Sequence, residues 1–399
     1  MSRHSSLPAI TLAVCLLVPT TIFAQSANRT TSAIDVLYFV TYSTIQTYNV
    51  DPTYSLGTLY GTLTVPAPLD GYPVFVAGAN DRYIYVWCAC GTDGSVVQVY
   101  ATDLNGAPQA PPIQTVKFKA AFRNFVIDPS GRLAYATEPL QNSLQQPEFG
   151  IQAFDLNPNT GILTAFPTLS AVEYPPPAEI CSSSNPFADP SFSLNGFNLS
   201  GTQLIDDWRC SGHDNGVGYY YSRTVDQQTG ALGPDVLTVG TGSSEDEYNT
   251  VTFTPTSMLS FTNYGYEDSP NELDVYWPNA KPDFSCTYTR LDACSYSSGI
   301  TADRTGNFIF FYTYSGGTDV TRLNMTNKTI EPVGIRLPDS INSLSLDDRL
   351  IYGGRTLSSN GQYGIPIYIF DPGTGLITDN HQSITMPYES TILIPALRY

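Results

Sequence analysis

Hydrophobic residues along this chain fall in short runs bounded by Gly, Pro, Asn and Asp, and no long segment has a helical apolar period with caps. Runs such as YIYVW (Tyr83–Trp87), LAYAT (Leu133–Thr137) and FIFFY (Phe308–Tyr312) read as β-strands. Two kinds of tight turn alternate between them. One precedes an apolar run: DPSGRLAYAT from Asp128, NLSGTQLIDD from Asn198 and DRTGNFIFFY from Asp303, with looser forms at Asn80 and Leu346. The other joins two runs. Asn157 to Gly161, Asp226 to Gly230 and Asp371 to Gly375 share one spacing, and LNMTNKTI from Leu323 fits the same frame with Asn327-Lys328 in place of Thr-Gly.

The alternation defines a unit of strand, tight turn, strand, variable loop, strand, tight turn, strand. Copies begin near Tyr72, Phe122, Ser191, Tyr248, Ser298 and Ile341, a spacing of about 45 to 70 residues that suits four-stranded propeller blades. A seventh copy comes from the two ends. The segment DVLYFVTYSTIQTYNVDPTYSLGTLYG supplies three strands, and the C-terminal ESTILIPALRY supplies the missing first one. Joining them removes exposed sheet edges. The expected fold is therefore all-β: a seven-bladed β-propeller of four-stranded antiparallel blades over 34–399, its ring closed by N- and C-terminal strands sharing one blade. A pair of β-sandwiches is the alternative, and it leaves the matched ends unexplained.

Composition supports strands over helices, with 14% charged residues and abundant Tyr, Phe, Gly and Pro. The first residues, with Arg3 and His4 ahead of the apolar LPAITLAVCLLVPTTIFA, read as a signal peptide over 1–24, followed by a linker over 25–33. That predicts export to the periplasm or the extracellular space. A net charge of −18 opposes binding to phosphate backbones and anionic lipids, so nucleic acid is excluded as a partner. No segment after the leader is long and apolar enough for a membrane span. Of seven cysteines, Cys15 lies in the leader, and the even remainder fits disulfides in an exported protein. Cys181 with Cys210 and Cys286 with Cys294 are the expected pairs, while Cys88 and Cys90 are left unassigned.

Together IDPSGRLAYAT…FGIQAFDLNPNTGILTA and YFVTYSTIQTYNVD resemble the lactonase-type seven-bladed propellers, the group of 6-phosphogluconolactonase-like and YVTN-type proteins. The resemblance spans nearly all of the chain after the leader and rests on turn punctuation. It implies the fold, and an activity of lactone hydrolysis or cycloisomerisation, although one fold hosts many functions.

The short turns would share one face of such a ring and the long, varied connections the other, where function concentrates. Lactone chemistry needs an acid or base near neutral pKa and a cation for the developing oxyanion. On the long-loop face the candidates are His213, Glu138 and Arg355 as catalytic groups, with Arg209, Asp214, Glu267 and Asp268 as ligand-face residues. His213 also reads simply as a solvated loop residue, and the arginines as members of surface ion pairs. No G-x-S-x-G elbow or H-E-x-x-H motif is present. The acidic runs at Glu245–Glu247 and Glu267–Asp274 offer oxygens to Ca2+ but lack the D-x-D-x-D-G frame, so no metal or cofactor is expected. Sequons stand at Asn28, Asn198, Asn324 and Asn327. The first reading is a monomeric binding or scaffold propeller for a small molecule, glycan or protein; the second is a lactonase-type enzyme.

Overall fold

A computed structural model describes residues 34–40, 44–51, 56–65, 74–79, 82–89, 94–118, 124–141, 147–173, 189–198, 200–211, 217–240, 248–255, 257–263, 271–276, 284–288, 297–313, 317–345, 347–354, 356–357, 363–386 and 392–398. The expected leader over 1–24 and linker over 25–33 lie outside the described residues. Every regular element described is a strand, and every strand pairing is antiparallel.

Among the described residues the strands form seven sheets. Sheet I joins β1 (Ile34–Val40), β2 (Thr44–Asp51) and β3 (Leu56–Thr64) to β30 (Ile392–Arg398), in the order β3-β2-β1-β30. Sheet II is β4 (Val74–Ala79), β5 (Tyr83–Ala89), β6 (Ser95–Ala101) and β7 (Gln114–Phe118). Sheet III is β8 (Phe125–Ile127), β9 (Leu133–Gln141), β10 (Pro147–Leu156) and two short pieces, β11 (Leu163–Ala165) and β12 (Ala171–Glu173), that share one edge of β10. Sheet IV is β13 (Asp189–Phe197), β14 (Gln203–Ser211), β15 (Val217–Thr224) and β16 (Val236–Gly240). Sheet V is β17 (Tyr248–Phe253), β18 (Met258–Asn263), β19 (Asn271–Tyr276) and β20 (Phe284–Tyr288). Sheet VI is β21 (Ser297–Ala302), β22 (Phe308–Thr313), β23 (Thr318–Asn324) and β24 (Thr329–Leu337). In sheet VII, β25 (Ile341–Leu344), β26 (Leu350–Gly353), β28 (Tyr363–Phe370) and β29 (Ile377–Met386) are joined by β27 (Thr356–Leu357), which continues the β26 edge along β28.

The sequence units start within a few residues of β4, β8, β13, β17, β21 and β25. The C-terminal apolar run pairs with β1 from Ile34↔Arg398 to Val40↔Ile392. Pro395 lies on β30, which ends the sheet order, the edge position at which proline is tolerated.

Consecutive apolar residues in the second strand of each sheet reflect burial on both faces. In β1, Val36, Tyr38 and Val40 pack with sheet II, while Leu37 and Phe39 pack with sheet VII. In β9, Ala134 and Ala136 face sheet II and Leu133 and Tyr135 face sheet IV. Seven such buried clusters occur among the described residues, each shared by two successive sheets, with sheet VII packed against sheet I.

The turns before second strands are closed by the side chain of their first residue. Asp128 Oδ1 accepts from the amides of Arg132 (2.8 Å) and Leu133 (2.7 Å), Asn198 Oδ1 from Gln203 N (3.0 Å) and Asp303 Oδ1 from Phe308 N (2.8 Å). Such side chains mimic a backbone turn, which is why Asx residues lead the motif. The turns after third strands are built alike. Gly161, Gly230 and Gly375 donate to Asn157, Asp226 and Asp371 at 2.8 Å and sit at φ +71°, +67° and +79°. Lys328, which stands in for glycine, takes φ 57°. These turns also contact the preceding sheet. Tyr38, Tyr85 and Tyr135 donate hydroxyl hydrogen bonds to the carbonyls of Gly106 (2.8 Å), Gly161 (3.2 Å) and Gly230 (3.1 Å), each in the next sheet. A Cβ on Gly161 would stand 2.4 Å from the Tyr83 ring, so glycine is needed for both φ and space.

Sheet VII departs from the pattern at Asp348, which occupies the left-handed position (φ 57°) that Gly131, Gly201 and Gly306 fill elsewhere. Its buried carboxylate accepts from Arg304 N at 2.8 Å, linking the corresponding turn of sheet VI. Burial is the main cause that pushes its pKa up to about 7. The Arg304 amide and charge oppose the rise, and Asp303 and Asp347 add to it.

Two outcomes follow from this architecture. Tyr85→Phe should lower stability by about 1 kcal/mol through one lost hydrogen bond, and Gly161→Ala by about 2–4 kcal/mol through φ strain plus overpacking. Urea unfolding midpoints measure both; an unchanged midpoint for Gly161→Ala would refute the packing role of the turn. The folded Asp348 carboxyl keeps its proton to about pH 7 while the unfolded one releases it near the ordinary value, so its contribution falls as pH rises across that interval. Asp348→Asn retains the acceptor and tolerates the left-handed backbone. Its midpoint should exceed wild type at about pH 8 and converge with it towards about pH 4; parallel pH profiles would show that Asp348 carries no such linkage.

Candidate functional site

Second strands run away from the tight turns towards the opposite end of their sheets. There the connections to third strands pass through residues 142–146, 212–216 and 264–270, outside the described residues. His213, Asp214, Glu267, Asp268, Arg355, Cys181 and Cys294 all lie outside the described residues as well. Glu138, Arg209, Cys210 and Cys286 are placed by strand register. Glu138 lies in β9 opposite Gly150, and Arg209 in β14 between Ser191 and Gly218. Cys210 pairs with Pro190 and Val217 in register, and Cys286 with Leu273. The register thus brings Glu138 and Arg209 to the same end of neighbouring sheets III and IV. His381 is elsewhere: it is 89% exposed on β29, with Nδ1 3.3 Å from Asp379 Oδ2.

Between sheets III and IV the described residues form a mixed apolar and polar arrangement. Phe149, Phe192 and Trp208 cluster with ring centroids 5.1 to 5.9 Å apart. Thr137, three positions along β9 from Ala134, is fully buried and its Oγ1 has no hydrogen-bond partner. Asn124, immediately before β8, has an Oδ1 that is likewise shielded and unpartnered, and its carbonyl accepts from Thr137 N at 3.4 Å. Strand alternation puts Thr137 on the side of Tyr135, which faces sheet IV. A buried hydroxyl without a partner costs about 1–3 kcal/mol, and Thr137 differs from the comparable Thr47, Ser260 and Ser343 hydroxyls in having the unpartnered Asn124 Oδ1 on the facing residue.

Sheet IV adds two acidic residues inside a second strand that is apolar in its neighbours. Asp206 and Asp207 are both fully buried. Arg223 Nε lies 2.7 Å from Asp206 Oδ2, with both side chains at most 5% exposed, and Arg223 Nη2 lies 3.9 Å from Asp235. Asp207 accepts from Asn195 Nδ2 at 3.0 Å. A bulge between Leu194 and Gly196 carries Asn195, the kind of irregularity that redirects a side chain. Consecutive strand residues point to opposite faces, so Asp206 sits on the Leu204 and Trp208 side and Asp207 on the Ile205 side. They are therefore no acid–base dyad. Loop composition points to neither, although two adjacent acids in LIDDWR, where the frame elsewhere is apolar, carry the signal.

Among the described residues, no group of three or more His, Cys, Asp or Glu side chains is placed to hold a metal ion. No helix of the described residues is long and apolar enough to cross a membrane. Between sheets III and IV the Asp206–Arg223 pair is mutually neutralised, and of the uncharged groups Thr137 can donate or accept while Asn124 Oδ1 accepts.

No protein-family description matches the chain, and no curated protein matches it. Among solved structures, the periplasmic gluconolactonase of Pseudomonas aeruginosa superposes with a TM-score of 0.57 at 15% identity, covering 91% of this chain and 99% of that one. A protein from Lactobacillus plantarum superposes with a TM-score of 0.58 at 13% identity, covering 92% of this chain and 99% of that one. At such identities the likeness is one of fold: this chain has the all-β, propeller-like architecture of lactonase-type proteins, in keeping with the resemblance carried by its turns.

Proposed function

We propose that the seven sheets are the blades of one closed propeller, with β30 completing the blade begun by β1, and that the protein binds a small uncharged, hydroxyl-rich ligand between sheets III and IV at the long-loop end. The closed ring is supported by the shared buried cluster of sheets VII and I and by the hydrogen bond from the Tyr48 hydroxyl to Thr385 O, 3.2 Å. The observation that carries the binding reading is the unpartnered, fully buried Thr137 hydroxyl beside Asn124 Oδ1 and an aromatic cluster. Apolar walls with a few convergent polar groups are the usual make-up of small-molecule sites. The net charge of −18 disfavours a phosphorylated ligand.

A second reading, lactone hydrolysis, is favoured by the full-length likeness to a gluconolactonase. His213 would serve as the base and Arg209 or Arg355 would steady the oxyanion, with Glu138 in support. Export is part of either reading. The gluconolactonase that this chain resembles in fold is itself periplasmic.

Titration calorimetry with uncharged aldonolactones and aldoses, run beside proton-release assays on the same lactones, tests both readings. Thr137→Val should weaken binding about 5- to 10-fold, the worth of one hydrogen bond, without lowering stability. Turnover abolished by His213→Ala would establish the enzyme. Saturable binding without turnover supports the binding protein alone, and folded protein that neither binds nor turns over any member of the panel refutes both.

A further inference from the structure

The sequons fall in very different structural settings, and the difference assigns one of them a role. Asn198 is 6% exposed and closes the turn before β14 with its whole amide. Its Nδ2 donates to Ser200 Oγ (2.9 Å) and Thr202 Oγ1 (3.0 Å), while Oδ1 accepts from Gln203 N (3.0 Å). A sugar on Nδ2 would have to enter that buried turn. Asn324 is half-buried and tied at both ends: Oδ1 accepts from Asn327 N (2.9 Å) and Nδ2 donates to Glu331 Oε1 (3.3 Å). Asn28 lies outside the described residues.

Asn327 is unlike these. It is exposed at the tip of the hairpin between β23 and β24, between exposed Thr326 and exposed Lys328. Among the described residues its side chain makes no hydrogen bond; only its backbone N–H is engaged, by Asn324. Lys328 at φ 57° turns the chain, and the sequon hydroxyl of Thr329 follows on an exposed strand residue. The hairpin belongs to the tight-turn end of sheet VI, away from the connections that follow second strands.

We infer that Asn327 is an N-glycosylation site of the exported protein, and that the folded chain carries its glycan on the tight-turn end while Asn198 and Asn324 stay bare. The acceptor is the Asn327 amide and the donor a lipid-pyrophosphate-linked oligosaccharide. The Asn327 Nδ2–sugar C1 bond forms as the C1–O bond to the lipid pyrophosphate breaks; the amide loses one proton to the transferase base, and the lipid pyrophosphate departs. No oxidant or reductant is required. This assignment stands apart from the ligand site, because the glycan and that site lie at opposite ends of the sheets.

The full chain secreted from a eukaryotic host tests it. Release of glycans by an amidase in 18O-water converts each occupied Asn to labelled Asp, and peptide mass mapping reads every sequon separately. Label is expected at 327 and not at 198 or 324. Asn327→Gln and Thr329→Ala should each remove that label with secretion and urea midpoint unchanged, and Thr326→Ala, which destroys only the Asn324 sequon, should leave it in place. Unlabelled Asn327 in the secreted, folded protein overturns the inference, as does label at 198 or 324.

Discussion

Sheet-to-sheet contact at the turn after the third strand, made between sheets I and II, II and III, III and IV, and VI and VII, is the constraint on which much of the structure depends. A propeller-like stack has no central helix or second layer to hold its sheets in register, so each sheet must find its partner through its own side chains. Tyr38, Tyr85 and Tyr135 do so by reaching across the interface to a glycine carbonyl in the next sheet. The ring of the tyrosine fills the apolar interface and its hydroxyl finds a polar group at the margin, the division of labour that suits a buried tyrosine. Burial raises the phenol pKa of Tyr85 and Tyr135, which keeps the hydroxyl a donor throughout the neutral range. Between sheets VI and VII the frame position is Phe310, which has no hydroxyl. There Arg322 supplies the donor, bonding Thr374 O at 3.2 Å with its guanidinium over the Phe308 ring. The contact is kept while the residue that makes it changes.

That constraint explains which parts of the fold were legible. A turn that must offer its carbonyl to a neighbouring tyrosine has to be tight, left-handed at one residue, and free of a Cβ where the ring approaches. Those demands leave Asn or Asp, then Gly, at fixed offsets, and the spacing can be read without any knowledge of the neighbour. The unit boundaries expected near Tyr72, Phe122, Tyr248 and Ile341 followed from the same punctuation and lie within three residues of the strands that start at Val74, Phe125, Tyr248 and Ile341. Where the chemistry is met by a different residue the pattern blurs. Asp348 fills a glycine position and turns its side chain into a cross-sheet acceptor, so the turn from Leu346 reads in sequence as a looser form of the motif while it makes a link to sheet VI.

The candidate site was far less legible, for a physical reason. Turn chemistry is dictated locally, whereas a binding site is assembled from residues on separate sheets whose meeting depends on the whole stack. Thr137 is an ordinary end to the run LAYAT until the structure shows its hydroxyl buried and unpartnered beside Asn124. Asp206 and Asp207 look like a pair in sequence, yet strand alternation sends them to opposite faces, one neutralised by Arg223 and the other held by Asn195. Of the residues singled out as belonging to the long loops, Glu138 and Arg209 instead fall within strands β9 and β14, because those strands run further than the sequence pattern indicates.

The two ends of the sheets differ in how their polar groups are spent. At the tight-turn end, Asp128, Asn198, Thr254, Asp303 and Ser345 are all buried, and each closes its own turn by accepting from amides a few residues on. Their oxygens are committed to the fold, so the acidity of that end is structural and offers little to a ligand. At the other end the buried Thr137 and Asn124 oxygens have no internal partner. Recognition needs groups that lose nothing internal when a ligand arrives, because a hydrogen bond taken from the fold must be subtracted from the one gained in binding. By that criterion the five turn side chains serve stability, whereas the Thr137 and Asn124 oxygens can take an outside partner without loss to the fold.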